Sequence, residues 1–338
     1  MYVDEKKNTL WKDVNFVICK NCGLVFENPR MSFESMKNYY SKETTSSTNY
    51  AIHQDISFAR KDQFKFLRKY SSSTGKLLDI GSGHDAFLDF WLKDGFVVYS
   101  LEPGTTTKDN VEGLTIINQY YEEYATKDKF NIISMRHVLE HSFSPSSMII
   151  KAWNELEDNG ILFIEVPNLY DPFITITPFF EYPHTFNFSP VTLRTYLNKL
   201  GFTVIKYESL SYNAMRFIAQ KTTKNSEFKI ENDYNAAKVK IEEYAVSRNH
   251  FLNEIKRNLK RIKGKTALFG AGDHSMFLIG EAELDISKIN CFIDSHPSKQ
   301  GKYYFGLPIY SPDVIGKEKF DTVIVSSYAY QDEIVEMI

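Results

Sequence analysis

The residues with the clearest chemical potential lie in KLLDIGSGHDAFLDFWLKDGFVVYSLEP, residues 76 to 103. A short apolar run carries Asp79, then Gly81, Ser82 and Gly83 follow, with Ala86 three further on. Glu102 and Pro103 close the next apolar run, Glu102 about twenty residues after the glycine turn. Glycines at this spacing let backbone approach a nucleotide closely, and a carboxylate at the end of the second strand accepts two ribose hydroxyls. Asp79 decides which nucleotide. A carboxylate two residues ahead of the first glycine repels a pyrophosphate and pairs with an ammonium. S-adenosylmethionine carries an ammonium and a sulfonium, so Asp79 with Glu102 fits it better than NAD. The glycine spacing alone still allows an NAD-dependent oxidoreductase, which is the alternative.

Three histidines are the next candidates. His137 and His141 flank VLE at a spacing that places both on one helical face, with Glu140 between them. Two histidines and one carboxylate make an incomplete metal set, so no metal is expected there. His184 stands in an aromatic, proline-bearing stretch, YPHTFNFS, and an imidazole near neutrality can take a proton as a methyl group is transferred. Cys19 and Cys22 in VICKNCGLVF form half of a zinc knuckle, and with Cys291 alone elsewhere neither zinc nor a disulfide framework is expected.

Alternating elements must position these groups. Residues 13 to 28 read as a small ribbon, a helix follows from Pro29 and Ser32, and 41 to 50 is a polar loop. An amphipathic helix covers 56 to 70. From Lys76, short β-branched runs separated by helices, including one at 146 to 158, imply a largely parallel sheet covered on both faces up to about residue 222. A helix at 190 to 200 and a strand pair from 202 to 220 finish it, and 168 to 189 is a loop or lid. Residues 231 to 263 repeat apolar positions at helical spacing. Beyond Gly264 the order of strand, glycine turn, helix and acid-ended strand returns, with Gly270, Gly272 and Asp294 in the corresponding places. The fold class is α/β: a Rossmann-like core with a second Rossmann-like domain. The expected domains are 1–75, 76–222, a linking helix 223–263, and 264–338.

Composition bounds the function classes. The chain has 338 residues, 43% hydrophobic and 25% charged, ample for two ordinary globular cores. A net charge of −3 without a basic block argues against nucleic-acid binding. No apolar run is long enough to span a membrane, so a cytoplasmic protein acting on a small molecule is expected.

The motifs LLDIGSG, LEP, RHVLEHSFSP and GILFIEVPN together resemble those of class I S-adenosylmethionine-dependent methyltransferases. The resemblance implies that the glycine turn lies near the methionyl part, Glu102 on the ribose, and Arg136, His137, Val138 and Leu139 along the cofactor rim. Asp85 stands where that family usually has a third glycine. VICKNCGLVFENPR is similar to the second half of a zinc module that precedes the core in sugar C-methyltransferases, and FIDSHPSKQGKYYFGLPIYSPDVI resembles their C-terminal domain. That family acts on nucleotide-linked keto sugars through a His-Glu-His-x-x-Tyr-Phe-Ser element. Here His184 keeps the second histidine, while Tyr182, Pro183 and Asn187 replace the first histidine, the glutamate and the tyrosine. O- or N-methylation therefore competes with C-methylation. Tyr39, Tyr40 and Tyr50 occupy the place of the family's tyrosine-rich flap. The resemblance thus implies His184, Tyr182, His141 and Tyr50 as catalytic candidates and a sugar nucleotide as substrate. It gives the C-terminal domain a structural role over the cleft. A noncatalytic nucleotide-sugar binder remains a further alternative.

Overall fold

The computed structural model describes residues 3–4, 9–10, 14–43, 54–83, 86–104, 111–181, 183–223, 229–327 and 330–338. The chain divides into two compact units, Met1–Pro172 with Phe180–Ile241, and Phe173–Phe179 with Glu242–Ile338.

The first unit is built on a seven-stranded sheet. Its strands are β1 (Lys76–Ile80), β2 (Val97–Leu101), β3 (Leu114–Ile117), β4 (Phe130–Arg136), β5 (Leu156–Pro167), β6 (Phe202–Leu210) and β7 (Ala214–Lys221). They lie in the order β6-β7-β5-β4-β1-β2-β3. β1 to β5 run parallel, while β7 is antiparallel to both β5 and β6. The interior strands are buried on both faces, as their continuous apolar runs require: Leu77, Leu78 and Ile80 in β1, and Ile132, Ile133 and Met135 in β4. On one face the helices Gln54–Arg68 and Ala86–Lys93 bring Leu67, Phe87, Leu88 and Trp91 against Leu77, Val98 and Phe163. On the other, Pro145–Glu155 and Pro190–Lys199 supply Met148, Ile149, Leu193 and Leu197.

The chain builds outward from β1 to β3, then returns to the far side of β1 to lay down β4 and β5. The carboxyl ends of β1 and β4 are thus a topological switch point, where open α/β sheets bind ligands. The glycine turn leaves β1 there, and His137 leaves β4.

A three-stranded ribbon accompanies the core. Phe16–Ile18 pairs with Val25–Glu27, and Phe186–Asn187 adds to the other edge of that strand. Residues 168 to 189 are therefore not wholly loop: their last part is held as a strand, and residues 173–179 belong to the second unit. The helix expected at 146–158 ends at Glu155, because Leu156 already pairs with Phe130 and opens β5. The helix Pro190–Lys199 begins in a capping box, with the Ser189 side chain on the Thr192 amide and the Thr192 hydroxyl on the Ser189 amide. Buried Asp233 accepts hydrogen bonds from Ser189 and from Tyr170, fixing both ends of the stretch that carries His184. The polar loop expected at 41–50 falls mostly outside the described residues.

The second unit carries a five-stranded sheet, β8 (Thr266–Phe269), β9 (Cys291–Ile293), β10 (Tyr303–Tyr304), β11 (Leu307–Tyr310) and β12 (Thr322–Val325), in the order β10-β11-β9-β8-β12. Central β8 is parallel to both neighbours. The helix Tyr234–Leu259 contributes Leu252 to this unit's core, and Ile176 from the short segment 173–179 packs in the same cluster. Among the described residues, no helix is long and apolar enough to cross a membrane.

Candidate functional site

The turn after β1 is shaped by its two glycines. Gly81 has φ +65°, and a Cβ there would stand 2.4 Å from Cγ2 of Val138. Its amide donates to the Leu101 carbonyl at 2.8 Å, locking the turn to β2. The hydroxyls of Ser82 and Ser100 meet at 2.6 Å beneath it. Gly83 also has positive φ, +54°, but an added Cβ would meet no described atom within 4 Å. The turn is therefore packed on its inner side and open on its outer side.

Glu102 closes this opening from β2. Its carboxylate accepts from the Gly83 amide at 3.2 Å and from the Gly104 amide at 3.5 Å. Burial pushes its pKa above the ordinary carboxylate value and nearby Asp79 adds to that, against the two amides that favour the charge. A carboxylate in this state gains from two hydroxyl donors, which a ribose provides. Pro103 sits beside it, half-buried.

Asp79 has a partner within the protein. It is fully buried, and both its oxygens face Arg136, with Nη2 to Oδ2 at 2.8 Å and Nε to Oδ1 at 3.4 Å. The guanidinium also lies 4.0 Å over the Phe87 ring and donates to Gln63 at 3.2 Å. Asp79 and Arg136 thus form an internal ion pair joining β1 to β4. Leu139 is fully buried in the core, and Val138 fills the space against Gly81.

His137 has left the strand in a left-handed conformation, φ +53°, with its amide on the Glu165 carbonyl at 2.7 Å. Its ring stands between two buried carboxylates, Nδ1 3.4 Å from Glu140 and Nε2 3.4 Å from Glu165. Burial opposes its charge, but pairing with the two acids outweighs this and raises its pKa to about 9. Burial conversely raises the pKa of Glu140 and Glu165, but His137, joined by His141 and His184 at Glu140 and by Gln63 and Arg216 at Glu165, more than offsets this, so both are held below the usual carboxylate range. Gln63 ties the two networks together, donating to Glu165 at 2.6 Å while accepting from Arg136.

His141 and His184 come together on the other side of Glu140. Their ring centroids are 4.8 Å apart, and the Nδ1 of His141 lies 3.2 Å from the Pro183 carbonyl. Burial lowers the His141 pKa, with the charge of Glu140 opposing. The strand Phe186–Asn187 packs against the short 3-10 helix Leu139–His141, which brings the His184 stretch to this place. Among the described residues, Glu140, His141 and His184 form the one group able to offer three metal ligand atoms, all within 4.8 Å of one another. Cys19 and Cys22 are free thiols on a tight turn closed by Gly23, and among the described residues they join no group of three metal ligands.

The fold thus gathers Gly81, Ser82, Gly83, Glu102, His137, Glu140, His141 and His184 about the ends of β1, β2 and β4. Tyr50, Tyr182 and Asp85 lie outside the described residues. Sequence reasoning passed over Glu165 and Gln63. A glutamate inside the apolar run LFIEVP was the available signal, since a buried charge in a central strand demands partners. Gln63, on the hydrophilic-looking side of its helix, gave none.

Residues 52–207, which contain this whole arrangement, match the family described as a methyltransferase domain. Those residues form a methyltransferase domain. Residues 262–338 match a second family, described as C2185-like, N-terminal. No curated protein matches the chain. Among solved structures, the chain is similar to the Burkholderia thailandensis 1,6-didemethyltoxoflavin-N1-methyltransferase bound to 1,6-didemethyltoxoflavin and S-adenosylhomocysteine, at 11% identity and TM-score 0.48, over 62% of this chain and 100% of that one. It is also similar to the N-methyltransferase NodS from Bradyrhizobium japonicum, at 12% identity and TM-score 0.39, over 48% of this chain and 96% of that one. At the switch point between β1 and β4, the open side of Gly83 and the Glu102 carboxylate are the groups that could hold a nucleoside cofactor.

Proposed function

We propose that the first unit methylates a small-molecule acceptor, a nucleotide-linked or phosphorylated sugar, at carbon or oxygen, in the cytoplasm. The observation that carries this reading is the Glu102 carboxylate bridged to the Gly83 amide across an open glycine turn, inside the segment that matches a methyltransferase domain. When bound, S-adenosylmethionine supplies a sulfonium methyl that is already activated for transfer. The protein's part is then to bind, orient and ionise. Glu102 accepts the ribose hydroxyls, and Gly83 leaves room for the cofactor chain. Arg136 keeps the buried charge of Asp79 neutralised, so that the floor of the turn stays fixed. The cluster of Glu140, His141 and His184 meets the acceptor and promotes loss of its proton. The sugar class follows from the likeness of the ribbon and of the C-terminal segment to sugar C-methyltransferases.

Calorimetry with S-adenosylhomocysteine and with NAD tests the cofactor. Binding of S-adenosylhomocysteine that weakens at least about tenfold in Glu102→Ala, the loss of one charged hydrogen-bonding group, supports the reading. Tighter binding of NAD would remove it. Transfer of labelled methyl across a panel of sugar nucleotides tests the acceptor, and His184→Ala is expected to slow transfer about a hundredfold while cofactor affinity is kept.

A further inference from the structure

We infer that Glu140, His141 and His184 hold one divalent first-row transition-metal ion that binds and activates an oxygen of the acceptor. The inference rests on the methyltransferase reading of the first unit and names how the acceptor is ionised there.

Glu140 is the starting point. Its side chain is 1% exposed, and neither carboxylate oxygen accepts a hydrogen bond among the described residues. His137 stands off at 3.4 Å and is shared with Glu165. His137 gives Glu140 a nearby countercharge but no hydrogen bond, and a buried carboxylate left without hydrogen-bond donors is stabilised further by coordinating a cation.

His141 supplies a second, independent sign. A backbone carbonyl only accepts, so the Nδ1 facing the Pro183 oxygen at 3.2 Å carries the proton. Nε2 therefore presents a lone pair, and it lies 3.8 Å from Oε1 of Glu140. A lone pair and a carboxylate oxygen set against each other call for a positive centre between them. An imidazole whose far nitrogen donates to a backbone carbonyl is also the arrangement that orients metal-binding histidines.

His184 completes the set from a different element. The three ligand atoms lie within 4.8 Å of one another. Metal bonds of about 2.0–2.2 Å place ligands about 3–4 Å apart, so small side-chain rotations close the site. Two imidazole nitrogens and one carboxylate oxygen suit manganese, iron, cobalt or zinc better than the all-oxygen ions calcium and magnesium. Three protein ligands leave coordination positions open to the acceptor.

The chemistry balances without a further reactant. The cation lowers the pKa of a bound acceptor hydroxyl, whose proton passes to water. The resulting oxyanion forms the new C–O bond as the C–S bond of the sulfonium breaks, the sulfur keeps the electron pair, and no atom changes oxidation state by way of the metal. The acceptor is accordingly an oxygen nucleophile, and the reaction an O-methylation.

The full chain, stripped with a chelator and dialysed, is titrated with MnCl2 while the free-ion signal is followed by electron paramagnetic resonance. Mn2+ is chosen because the Cys19–Cys22 thiols are poor ligands for it. S-adenosylhomocysteine binding is measured in parallel and reports folding of the variants. The expected result is one Mn2+ per chain, with affinity falling at least about tenfold in Glu140→Gln and in His184→Ala and S-adenosylhomocysteine affinity kept. Stoichiometric Mn2+ binding that both variants leave intact would overturn the inference. S-adenosylhomocysteine binding without Mn2+ binding to the unaltered chain overturns the metal site alone, whereas Mn2+ binding without S-adenosylhomocysteine binding sustains the site and overturns the methyltransferase reading.

Discussion

Gly81 and Gly83 stand one serine apart and answer to different demands. Both have positive φ, which an L side chain adopts only with strain. Gly81 additionally faces Val138 at a distance no Cβ tolerates, whereas Gly83 faces open space. Gly81→Ala is therefore expected to lower unfolding free energy by about 2–3 kcal/mol in a denaturant titration. Gly83→Ala should lose only about 1 kcal/mol of stability while its new methyl group enters the cofactor's space. Calorimetry should then find weaker S-adenosylhomocysteine binding in Gly83→Ala at nearly unchanged stability, and equal losses of stability in the two variants would refute the assignment. At the same scale His137 gives a pH signature. Its pKa is raised from 6.5 to about 9, so the stability it contributes is complete below about pH 6.5 and fades as pH rises through 9. The ring is 41% exposed, and solvent screening limits the effect to about 1 kcal/mol. In metal-free protein with chelator present, the stability difference between the unaltered chain and His137→Gln should shrink across that window, as followed by urea midpoints.

The elements meet at charges as much as at apolar faces. Arg136 at the end of β4 and Asp79 at the end of β1 form a buried ion pair, and removing one partner strands the other. Arg136→Ala is expected to cost about 3–5 kcal/mol, while the double replacement Asp79→Leu with Arg136→Met should cost much less, measured by thermal unfolding. If the two variants are equally unstable, the arginine acts through packing on Phe87 rather than through the pair. The sequence carried the strands, the helices and both glycine turns, because each rests on a local period or on a local φ requirement. It did not reveal the contact of Asp79 with Arg136, because Arg136 lies 57 residues away and no period reports a contact between strand ends. It also paired His137 with His141 on one helix face. The structure instead turns His137 out of register with a left-handed residue and brings in His184 by a two-residue strand on the ribbon's edge. Such a strand is too short to announce itself by alternation.

At the scale of the molecule, two Rossmann-like sheets in one chain were legible because the order of strand, glycine turn, helix and acid-ended strand occurs twice. The assignment of residues 173–179 to the second unit was not legible. It depends on Ile176 reaching the cluster of Leu252, Leu268 and Phe292, a choice made by packing rather than by pattern. The division has a measurable consequence for ligand binding. Every group assigned here to cofactor and acceptor belongs to the first unit, so ligand stabilisation should begin there. At a hundred times its dissociation constant, S-adenosylhomocysteine is worth about 2.7 kcal/mol, a factor of about a hundred in the opening equilibrium of whatever unfolds with the site. Hydrogen exchange should therefore slow about a hundredfold at the core amides of β1, β2 and β4, residues such as Leu78, Val98 and Ile133, and stay unchanged at Leu268, Phe292 and Ile324 in the second sheet. Equal slowing in both sheets would mean that the two units open as one, and slowing confined to the second would place the cofactor there instead.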